Sequence, residues 1–439
     1  MKMPRWNSAV WTGILTAIMG LGVQAAELSG QARNGLLGWY DASDTASIVM
    51  QGDRVGTWKD KSGQGHDFSQ PANGPTRIES EGAWSIGGAT MLCKGVNKTL
   101  PALTVHAVVK VPPSYSAILA FRPDSPTEFV AAGWTIGSRP SLFSKSGSTN
   151  AFREVEDGQW HLLTFVRDEL QRRFFVDGVP AGEATGKDAA CEMTDLLLSA
   201  WNTHVSPQVR LGELLIYERA QDQAQVAEVS AYLQEKWKAA LPDSNSDVVV
   251  FVGNSLSTGM YCGNGKTWTA FAAQKLGLKS WNNVSKGGIT TPQLAALADA
   301  NIDPIRKTSK GRGILVLWEG TNDIAVNKAS GAKAAENIAS FCAARKKDGW
   351  DKIIVLTILP RASGPEFEKA RGELNDLLLK KAADYQIDAV VDLGADSAIA
   401  AAGAQDDKKY FVDQVHLSEA GNQRVAELVA KTMKDMKGQ

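Results

Sequence analysis

A run of apolar residues ends abruptly in a polar turn in the stretch Val248-Val249-Val250-Phe251-Val252-Gly253-Asn254-Ser255-Leu256-Ser257. A continuous β-branched run of this length favours a central parallel strand, because such strands are buried on both faces. Gly253 permits a sharp turn, which would leave Ser255 at the carboxyl end of the strand. Open α/β sheets hold their sites at that end, so the stretch predicts a buried strand that delivers a nucleophile.

The residues that follow predict an α/β domain over 247–439. Helix-forming segments separate further apolar runs, which lie at 280–284, 313–318, 352–358 and 387–392. This alternation indicates a parallel sheet with helices on both faces, which is a three-layer architecture. The segment 242–246 before it is a linker of turn formers that extends no more than roughly 20 Å at about 3.3 Å per residue. We therefore expect the two halves of the chain to touch.

At 439 residues the chain is too long for one core, and its first half, 27–241, has a different pattern. Short alternating runs, such as those at 103–109 and 161–166, are separated by turn residues, which is typical of an antiparallel β sandwich. The run at 172–176 leads into Asp177-Gly178, a pair that favours a hairpin.

The composition excludes several classes of protein. Hydrophobic residues make up 44% of the chain and charged residues 22%, which is ordinary for a globular protein and excludes disordered and collagen-like chains. The formal net charge is -1, and the basic residues are not clustered. Since binding to phosphates depends on clustered basic charge, we expect no nucleic-acid partner.

The N-terminus has the pattern of a secretory signal peptide over residues 1–25. Lys2 and Arg5 precede an apolar segment at 9–23, and Val23 and Ala25 stand at the two positions that a signal peptidase reads. An apolar segment of about 15 residues is shorter than the roughly 20 residues that span a bilayer. We therefore expect a secreted or periplasmic protein without a membrane span.

Export permits disulfide bonds, and the chain has four cysteines, Cys93, Cys191, Cys262 and Cys342. Three full pairings are possible, and Cys93 with Cys191 is the pair that lies within the first half. Cys342 lies on the apolar face of a predicted helix, which favours a buried thiol. Cys262 has no neighbouring histidine or basic residue to lower its pKa, so we expect a structural role for it.

Three residues of the second half carry side chains that ester hydrolysis requires. An ester carbonyl needs a nucleophile, a base for its proton, and donors for the developing oxyanion. Ser255 supplies the hydroxyl, and His416 is the only histidine after residue 204, hence the only imidazole base of this half. Asp413 lies three residues earlier, on the same side of a turn, where it can fix the tautomer. The same spacing also occurs where helices begin. Asp413 and His416 therefore indicate a catalytic pair only in combination with Ser255.

Polar loops lie at the ends of the first three predicted strands, and a fourth precedes the last helix. They read Gly253-Asn254-Ser255-Leu256-Ser257, Asn283-Val284-Ser285-Lys286-Gly287-Gly288-Ile289-Thr290-Thr291, Gly320-Thr321-Asn322-Asp323 and Asp413-Gln414-Val415-His416. In order and placement these loops resemble those of the SGNH hydrolases, also called the GDSL esterase and lipase family. The resemblance covers 247–439 and implies a flavodoxin-like, three-layer hydrolase fold.

The same resemblance implies the oxyanion donors, which are the Ser255 amide, the Gly288 amide and the Asn322 side chain. Gly288 is preferred to Gly287 because it lies five residues after Asn283, which is the register of the family. Two other interpretations stay open, namely that the glycines form only a flexible turn and that Asn322 belongs only to a helix cap.

One residue departs from the family pattern. Asn254 stands where the family usually has an aspartate before the nucleophile. Asparagine can still hold a turn by hydrogen bonding, but it lacks the charge, so the rigidity of the loop can differ. The triad itself is intact.

The first half also resembles a known kind of domain. The motifs are Trp39-Tyr40-Asp41-Ala42-Ser43-Asp44, the segment 55–66, Trp160-His161, Val176-Asp177-Gly178 and the segment 212–220. They are similar to the LamG-like jelly-roll domains of concanavalin A type in exported bacterial proteins, which implies either polysaccharide binding or the positioning of a partner domain.

Two sets of residues in this half have a functional and a structural interpretation. Trp39, Trp58 and Trp160 can stack on sugars, but we expect core or turn packing. Asp41, Asp44 and Asp60 can contribute to a calcium site, although acidic turn residues are usually turn formers.

These patterns together predict a secreted serine esterase that acts through an acyl-Ser255 intermediate without a metal or cofactor. The expected substrate is an O-acyl ester, with O-acetyl favoured, on a carbohydrate or another small molecule, and the jelly-roll domain can contact polysaccharide. The alternatives are a lipid or thioester acyl hydrolase of the same family, or a polysaccharide-binding protein with an inactive hydrolase domain.

Overall fold

The structure is a computed structural model that describes residues 27–437 with short gaps. The residues left out within that range are 71, 113–115, 122–128, 133–138, 145–146, 152, 156, 202–203, 207, 244, 259–260, 263–264 and 279–280. The expected signal peptide at 1–25 lies outside the described residues.

The first half forms an antiparallel β sandwich that is followed by one helix, α1 (Gln223–Lys236). Its strands are β1 (Leu36–Asp41), β2 (Ile48–Gln51), β3 (Arg54–Trp58), β4 (Phe68–Ser69), β5 (Thr76–Ser80), β6 (Ala83–Gly87), β7 (Met91–Cys93), β8 (Lys98–Leu100), β9 (Leu103–Lys110), β10 (Ser116–Ala120), β11 (Phe129–Ala132), β12 (Pro140–Ser144), β13 (Gly147–Asn150), β14 (Trp160–Arg167), β15 (Gln171–Val176), β16 (Val179–Thr185), β17 (Cys191–Met193), β18 (Leu196–Leu198), β19 (Ala200–Trp201), β20 (His204–Val205) and β21 (Arg210–Tyr217).

Two large sheets face each other in the sandwich. One has the order β16-β15-β14-β9-β21-β6-β5, with β1 also paired to β21, and the other has the order β13-β12-β11-β10-β18-β7-β4-β3-β2. The expected hairpin joins β15 to β16, and both Asp177 and Gly178 have positive φ, at 54° and 78°. This is the conformation that a two-residue turn of type I′ requires. The jelly-roll prediction is therefore confirmed.

Helix α1 covers the outer face of the first sheet. Every residue of β14 is buried, because one face of the strand meets the interior of the sandwich and the other meets a second apolar cluster. Val229 and Leu233 of α1 belong to that second cluster. A capping box of Asp222 and Gln225 starts the helix.

The second half is a three-layer domain around a parallel sheet. Its strands are β22 (Val248–Gly253), β23 (Trp281–Asn283), β24 (Gly313–Trp318), β25 (Lys352–Leu356) and β26 (Ala389–Val391). Its helices are α2 (Trp268–Leu276), α3 (Thr291–Asn301), α4 (Asp303–Thr308), α5 (Thr321–Ala325), α6 (Gly331–Lys347), α7 (Pro365–Lys380), α8 (Ser397–Ala400) and α9 (Glu419–Lys437).

The order of the sheet is β23-β22-β24-β25-β26, with all neighbours parallel. Numbered within the domain this is 2-1-3-4-5, the flavodoxin-like order, whose switch point lies between β22 and β24. The fold prediction is confirmed for this half as well. All six residues of β22 are buried, as expected for a central strand.

The two halves are in contact. Val179, the first residue of β16, is buried within the apolar core of the second half. Helices α3 and α4 lie against the same strand. The contact agrees with the expectation that the two halves touch. Among the described residues, none of the helices is both long enough and apolar enough to cross a membrane.

The structure decides a pairing that the sequence left open. Cys93 on β7 is a buried free thiol and is not bridged to Cys191, which lies on β17. Burial raises the pKa of Cys93 to about 12. Cys342 is fully buried on α6 as a thiol, as expected.

Candidate active site

Ser255 lies in the turn that follows β22, at the carboxyl end of the strand. Gly253 is needed there because of the atoms around it, and its φ is not positive. A Cβ at position 253 would lie 2.9 Å from the Trp318 carbonyl oxygen and 2.7 Å from Ser257 Oγ, so the close approach of β24 excludes a side chain. The turn is then held by Asn254, whose side-chain oxygen accepts a hydrogen bond from the Leu256 amide at 3.1 Å.

The structure brings Ser255, His416 and Asp413 together. His416 Nε2 lies 2.9 Å from Ser255 Oγ, and His416 Nδ1 lies 2.7 Å from Asp413 Oδ2. Asp413 Oδ1 also accepts the His416 amide at 2.7 Å. Partial burial opposes ionisation of this carboxyl, but the hydrogen bonds from the amide and ring of His416 lower the pKa of Asp413 below its ordinary value. The aspartate is therefore a charged acceptor that orients the imidazole.

The loop that carries His416 is a tight reversal of the chain. Gln414 has a φ of 65°, and the Val412 amide donates to the His416 carbonyl at 2.9 Å. Phe411 and Leu417 form an antiparallel bridge at the base of the loop. This closure places Asp413 and His416 on one side of the turn, as their spacing predicted.

The loops that hold Gly288 and Asn322 are joined to each other. The Lys286 amide donates to the Gly253 carbonyl at 2.9 Å, which continues the ladder of β22 and β23 beyond the sheet. Gly288 then has a φ of 74°, and Asn322 Nδ2 donates to the Ile289 carbonyl at 2.8 Å. Asn322 therefore ties α5 to the glycine loop, and its side chain does not cap its own helix.

An aromatic residue that the sequence did not single out packs on the histidine. The ring centroids of Tyr261 and His416 are 4.1 Å apart, with 34° between the ring planes, and Tyr261 is 50% exposed. No local pattern marks a lone tyrosine in a turn segment, so only the fold reveals it. Cys262 is the next residue, and burial raises its pKa to about 11, which disfavours the thiolate, in agreement with a structural role.

The first half of the chain reaches the glycine loop. Asn283 Nδ2, at the end of β23, donates to Glu154 Oε2 at 2.8 Å and to the Ser257 carbonyl at 2.7 Å. The Arg139 guanidinium donates to the Ser285 carbonyl. Sequence reasoning missed both contacts, because the partners lie more than a hundred residues apart.

The tryptophans and aspartates of the first half have structural contacts. Trp39, Trp58 and Trp160 are buried, as expected, so their rings do not form an exposed sugar platform. The Asp41 carboxylate contacts the Lys61 and Lys236 ammonium groups at 3.0 and 2.6 Å.

The two other acidic residues are engaged in a similar way. Asp44 contacts Lys61 at 2.7 Å, and Asp60 accepts the Trp39 and Ser62 amides at 2.9 and 2.8 Å. Lysines and backbone amides thus surround the oxygens considered for calcium, which fits the interpretation as turn formers.

Family models match two parts of the chain. The model of the GDSL-like lipase/acylhydrolase family matches residues 251–424. The model of the concanavalin A-like lectin/glucanases superfamily matches residues 96–227. Both resemblances expected from the sequence are confirmed. No curated protein is significantly similar in sequence to this chain.

Solved structures of both kinds are similar to parts of the chain. A member of the lipolytic protein G-D-S-L family from Veillonella parvula DSM 2008 is 17% identical with a TM-score of 0.34, covering 44% of this chain and 99% of its own. A GDSL-like lipase from Bacteroides thetaiotaomicron VPI-5482 is 21% identical with a TM-score of 0.33, covering 43% and 88%. Domain 4 of an extracellular arabinanase from Geobacillus stearothermophilus, solved with arabinotriose, is 15% identical with a TM-score of 0.35, covering 44% and 98%.

The matched regions account for both architectures. Residues 251–424 contain the end of β22, all of β23 to β26, and the loops that hold Ser255, Gly288, Asn322 and His416. Residues 96–227 contain most of the β sandwich. The protein is therefore an ester hydrolase that combines a GDSL-like lipase/acylhydrolase domain with a concanavalin A-like domain.

Proposed function

We propose that the protein is a secreted or periplasmic serine esterase in which Ser255 is the nucleophile, His416 the general base and acid, and Asp413 the residue that orients the histidine. The observation that carries this proposal is the continuous chain of hydrogen bonds from Ser255 Oγ through His416 to Asp413, at 2.9 and 2.7 Å. Ser255 and His416 come from loops that lie 161 residues apart in the chain. The proposal that the protein is exported rests on the signal-peptide pattern of residues 1–25.

The reaction begins when His416 Nε2 takes the proton of Ser255 Oγ as the oxygen bonds to the ester carbonyl carbon. The tetrahedral intermediate collapses, the ester C–O bond breaks, and the leaving alcohol takes the proton from His416. Water then attacks the acyl-Ser255 carbonyl, with His416 again as base. Collapse of the second intermediate releases the carboxylic acid and returns the proton to Ser255.

The developing oxyanion needs donors, and we assign them to the Ser255 amide, the Gly288 amide and the Asn322 side chain. An amide nitrogen of asparagine carries two hydrogens, and one of those on Asn322 is used by the Ile289 carbonyl. The second is left for the substrate. Because the first bond fixes the side chain in advance, this donor needs no rearrangement during the reaction.

The proposed substrate is an O-acyl ester, with O-acetyl favoured, on a carbohydrate. The concanavalin A-like domain supports this by fold-level analogy. A second support is Tyr261, whose half-exposed ring beside His416 offers the flat apolar face on which sugar rings pack. A third is the contact between Glu154 and Asn283, since it joins the first domain to the loop that leads to Gly288.

Hydrolysis of an aryl acetate by the wild-type protein, Ser255→Ala and Ser257→Ala tests the chemistry. Ser257 is a matched control, since its hydroxyl accepts a hydrogen bond from the Trp268 indole at 3.2 Å and lies two residues from the nucleophile. We expect Ser255→Ala to abolish turnover and Ser257→Ala to keep most of it. Equal rates for the wild-type protein and Ser255→Ala would favour a binding protein with an inactive hydrolase domain.

Acetate release from a set of O-acetylated polysaccharides tests the substrate. We expect faster release from at least one acetylated polymer than from aryl acetate at equal ester concentration. A parallel series of aryl acetate, butyrate and octanoate serves as the control. Preference for octanoate without activity on any acetylated polymer would point to a lipid ester instead.

A further inference from the structure

A glutamate lies buried beneath the turn that carries Ser255. Glu319 directly follows β24 and is 0% exposed, as is Asn254. Asn254 Nδ2 donates to Glu319 Oε2 at 3.3 Å and to the Trp318 carbonyl at 3.1 Å. With its side-chain oxygen bonded to the Leu256 amide, the asparagine links the end of β24 to the first residue after the nucleophile.

Ionisation of the Glu319 carboxyl group is opposed by its surroundings. Burial raises its pKa well above the ordinary value, and the nearby Asp323 carboxylate adds to the effect. Its Oε1 atom is buried and has no hydrogen-bond partner among the described residues. The Asn254 side chain and the Gly320 amide donate to this carboxyl group, but an ionised carboxylate would still leave the buried Oε1 without a donor.

The amide at position 254 suits this neighbour, and a carboxyl group would not. An aspartate has no hydrogen to offer to Glu319 or to the Trp318 carbonyl unless it is protonated. Two carboxyl groups within about 3 Å cannot both ionise in a buried site, because like charges at that distance repel strongly. Position 254, where this chain departs from the family pattern, thus lies next to the buried Glu319 carboxyl group.

We propose that Glu319 is a positioning residue for Ser255 that acts through Asn254, and that the carboxyl group at position 319 is the reason why position 254 holds an amide. This inference rests on the proposed role of Ser255 as the nucleophile. Glu319 also precedes Gly320, the N-cap of α5, and α5 carries Asn322. Glu319 therefore contacts the turn of the nucleophile through Asn254 and directly precedes the N-cap of α5, the helix that carries Asn322.

A double-mutant cycle with Asn254→Asp, Glu319→Gln and the double variant tests the proposal. We expect Glu319→Gln to stay within about threefold of the wild-type kcat/KM on aryl acetate, because a glutamine oxygen can accept the same hydrogen bond. Asn254→Asp should lower kcat by about 10- to 100-fold with little change in KM, the cost of a displaced nucleophile. Its loss should deepen at high pH, where removal of the proton that the two carboxyl groups share would leave like charges in contact. The double variant should recover most of the loss, because a glutamine amide can donate to the new carboxylate.

Three results would overturn the proposal. They are wild-type kcat and pH profile in Asn254→Asp, a double variant no more active than Asn254→Asp, and a Glu319→Gln variant as impaired as Asn254→Asp. If Asn254→Asp does not fold, Glu319→Leu provides the second test, because loss of the acceptor should lower kcat while Glu319→Gln does not. Equal kcat in that pair would contradict the role of Glu319.

A separate measurement tests the proposed function independently of the role of Glu319. Ser255→Ala in the same assay reports whether Ser255 is the nucleophile at all. If it is not, thermal unfolding of the same cycle still measures the coupling between positions 254 and 319.

Discussion

Asn283 at the end of β23 donates a hydrogen bond of 2.8 Å to Glu154, a residue of the first domain that lies 129 positions earlier in the chain. The Glu154 amide in turn donates to the Asn283 carbonyl at 3.3 Å. This reciprocal pair stands at the base of the loop that leads to Gly288. The concanavalin A-like domain is thus part of the support of the esterase site, in addition to any role in substrate binding.

We expect Glu154→Ala to lower kcat on aryl acetate by about 3- to 10-fold, because loss of one hydrogen bond of about 1–1.5 kcal/mol loosens the glycine loop. Glu169→Ala is the matched control, since Glu169 is exposed on the same domain, and it should keep wild-type activity. Steady-state kinetics on a small ester make the comparison, because polymer binding does not contribute. Equal kcat values for Glu154→Ala and Glu169→Ala would show that the contact of Glu154 with Asn283 does not support the glycine loop.

Asn322→Ala should lower kcat by about 10²- to 10³-fold with little change in KM, the usual cost of losing one oxyanion donor. Asn327→Ala is a suitable control, because this asparagine is exposed five residues later, just beyond α5. Far-ultraviolet circular dichroism of both variants checks that α5 and its surroundings remain folded. An unchanged kcat in Asn322→Ala would remove this side chain from the oxyanion hole.

Tyr261→Ala should lower kcat by about 2- to 12-fold, since an aromatic pair contributes roughly 0.5–1.5 kcal/mol to holding the His416 ring. Tyr261→Phe keeps the ring and should stay near the wild-type rate on aryl acetate. On an acetylated polysaccharide the alanine variant should also raise KM, if the exposed face of Tyr261 packs on sugar. A polymer KM unchanged in Tyr261→Ala would count against the sugar contact.

The first domain should lose stability as the pH falls below about 6.5, because the buried His106 ring resists protonation. This ring is fully buried between Gln221 and Thr164, at 2.7 and 2.9 Å, and burial lowers its pKa to about 4 despite the Gln221 hydrogen bond. Below about pH 6.5 the unfolded chain binds a proton that the folded one cannot. The loss should reach the order of 3 kcal/mol by about pH 4. Thermal unfolding of the wild-type protein and His106→Gln between pH 7 and 4 measures it, and parallel curves would contradict the prediction.

His161 should act in the opposite direction on the alkaline side. Burial disfavours its charge, but the Asp157 and Asp177 carboxylates at 3.2 and 3.0 Å outweigh that effect and raise its pKa to about 10. The stabilisation is complete below about pH 6.5 and is lost as the pH rises toward 10. The Tm values of the wild-type protein and His161→Gln should therefore converge as the pH rises from 6 to 10. A constant difference in Tm would show that the charge of His161 contributes nothing to stability.

Much of the architecture was predictable because its signals are local. The run 248–252 is buried on both faces in β22, and the alternation of apolar runs and helix formers became β22 to β26 with their helices. The Asp177-Gly178 turn also has the expected backbone conformation. In each case the periodicity or the turn residue acts within a few positions of itself, so no knowledge of distant contacts is needed.

Other predictions needed distances that no local pattern contains. Whether Cys93 pairs with Cys191 could not be decided from the sequence, because a bridge depends on the separation and orientation of the two Cα–Cβ bonds, and Cys93 proves to be a free thiol. Gly253 was identified at the turn from the sequence, but the structure adds a constraint from distant residues, the close approach of Ser257 Oγ and the Trp318 carbonyl.

The sequence by itself determined the two architectures and the order of the polar loops, and it pointed to Ser255, His416 and Asp413 through the chemistry that each residue type allows. Only the tertiary structure decided which side chains surround them, namely Tyr261 against His416, Glu154 against Asn283, and Glu319 against Asn254. The physical reason is that strand and helix periods arise from neighbouring residues, whereas these contacts join segments that only packing brings together.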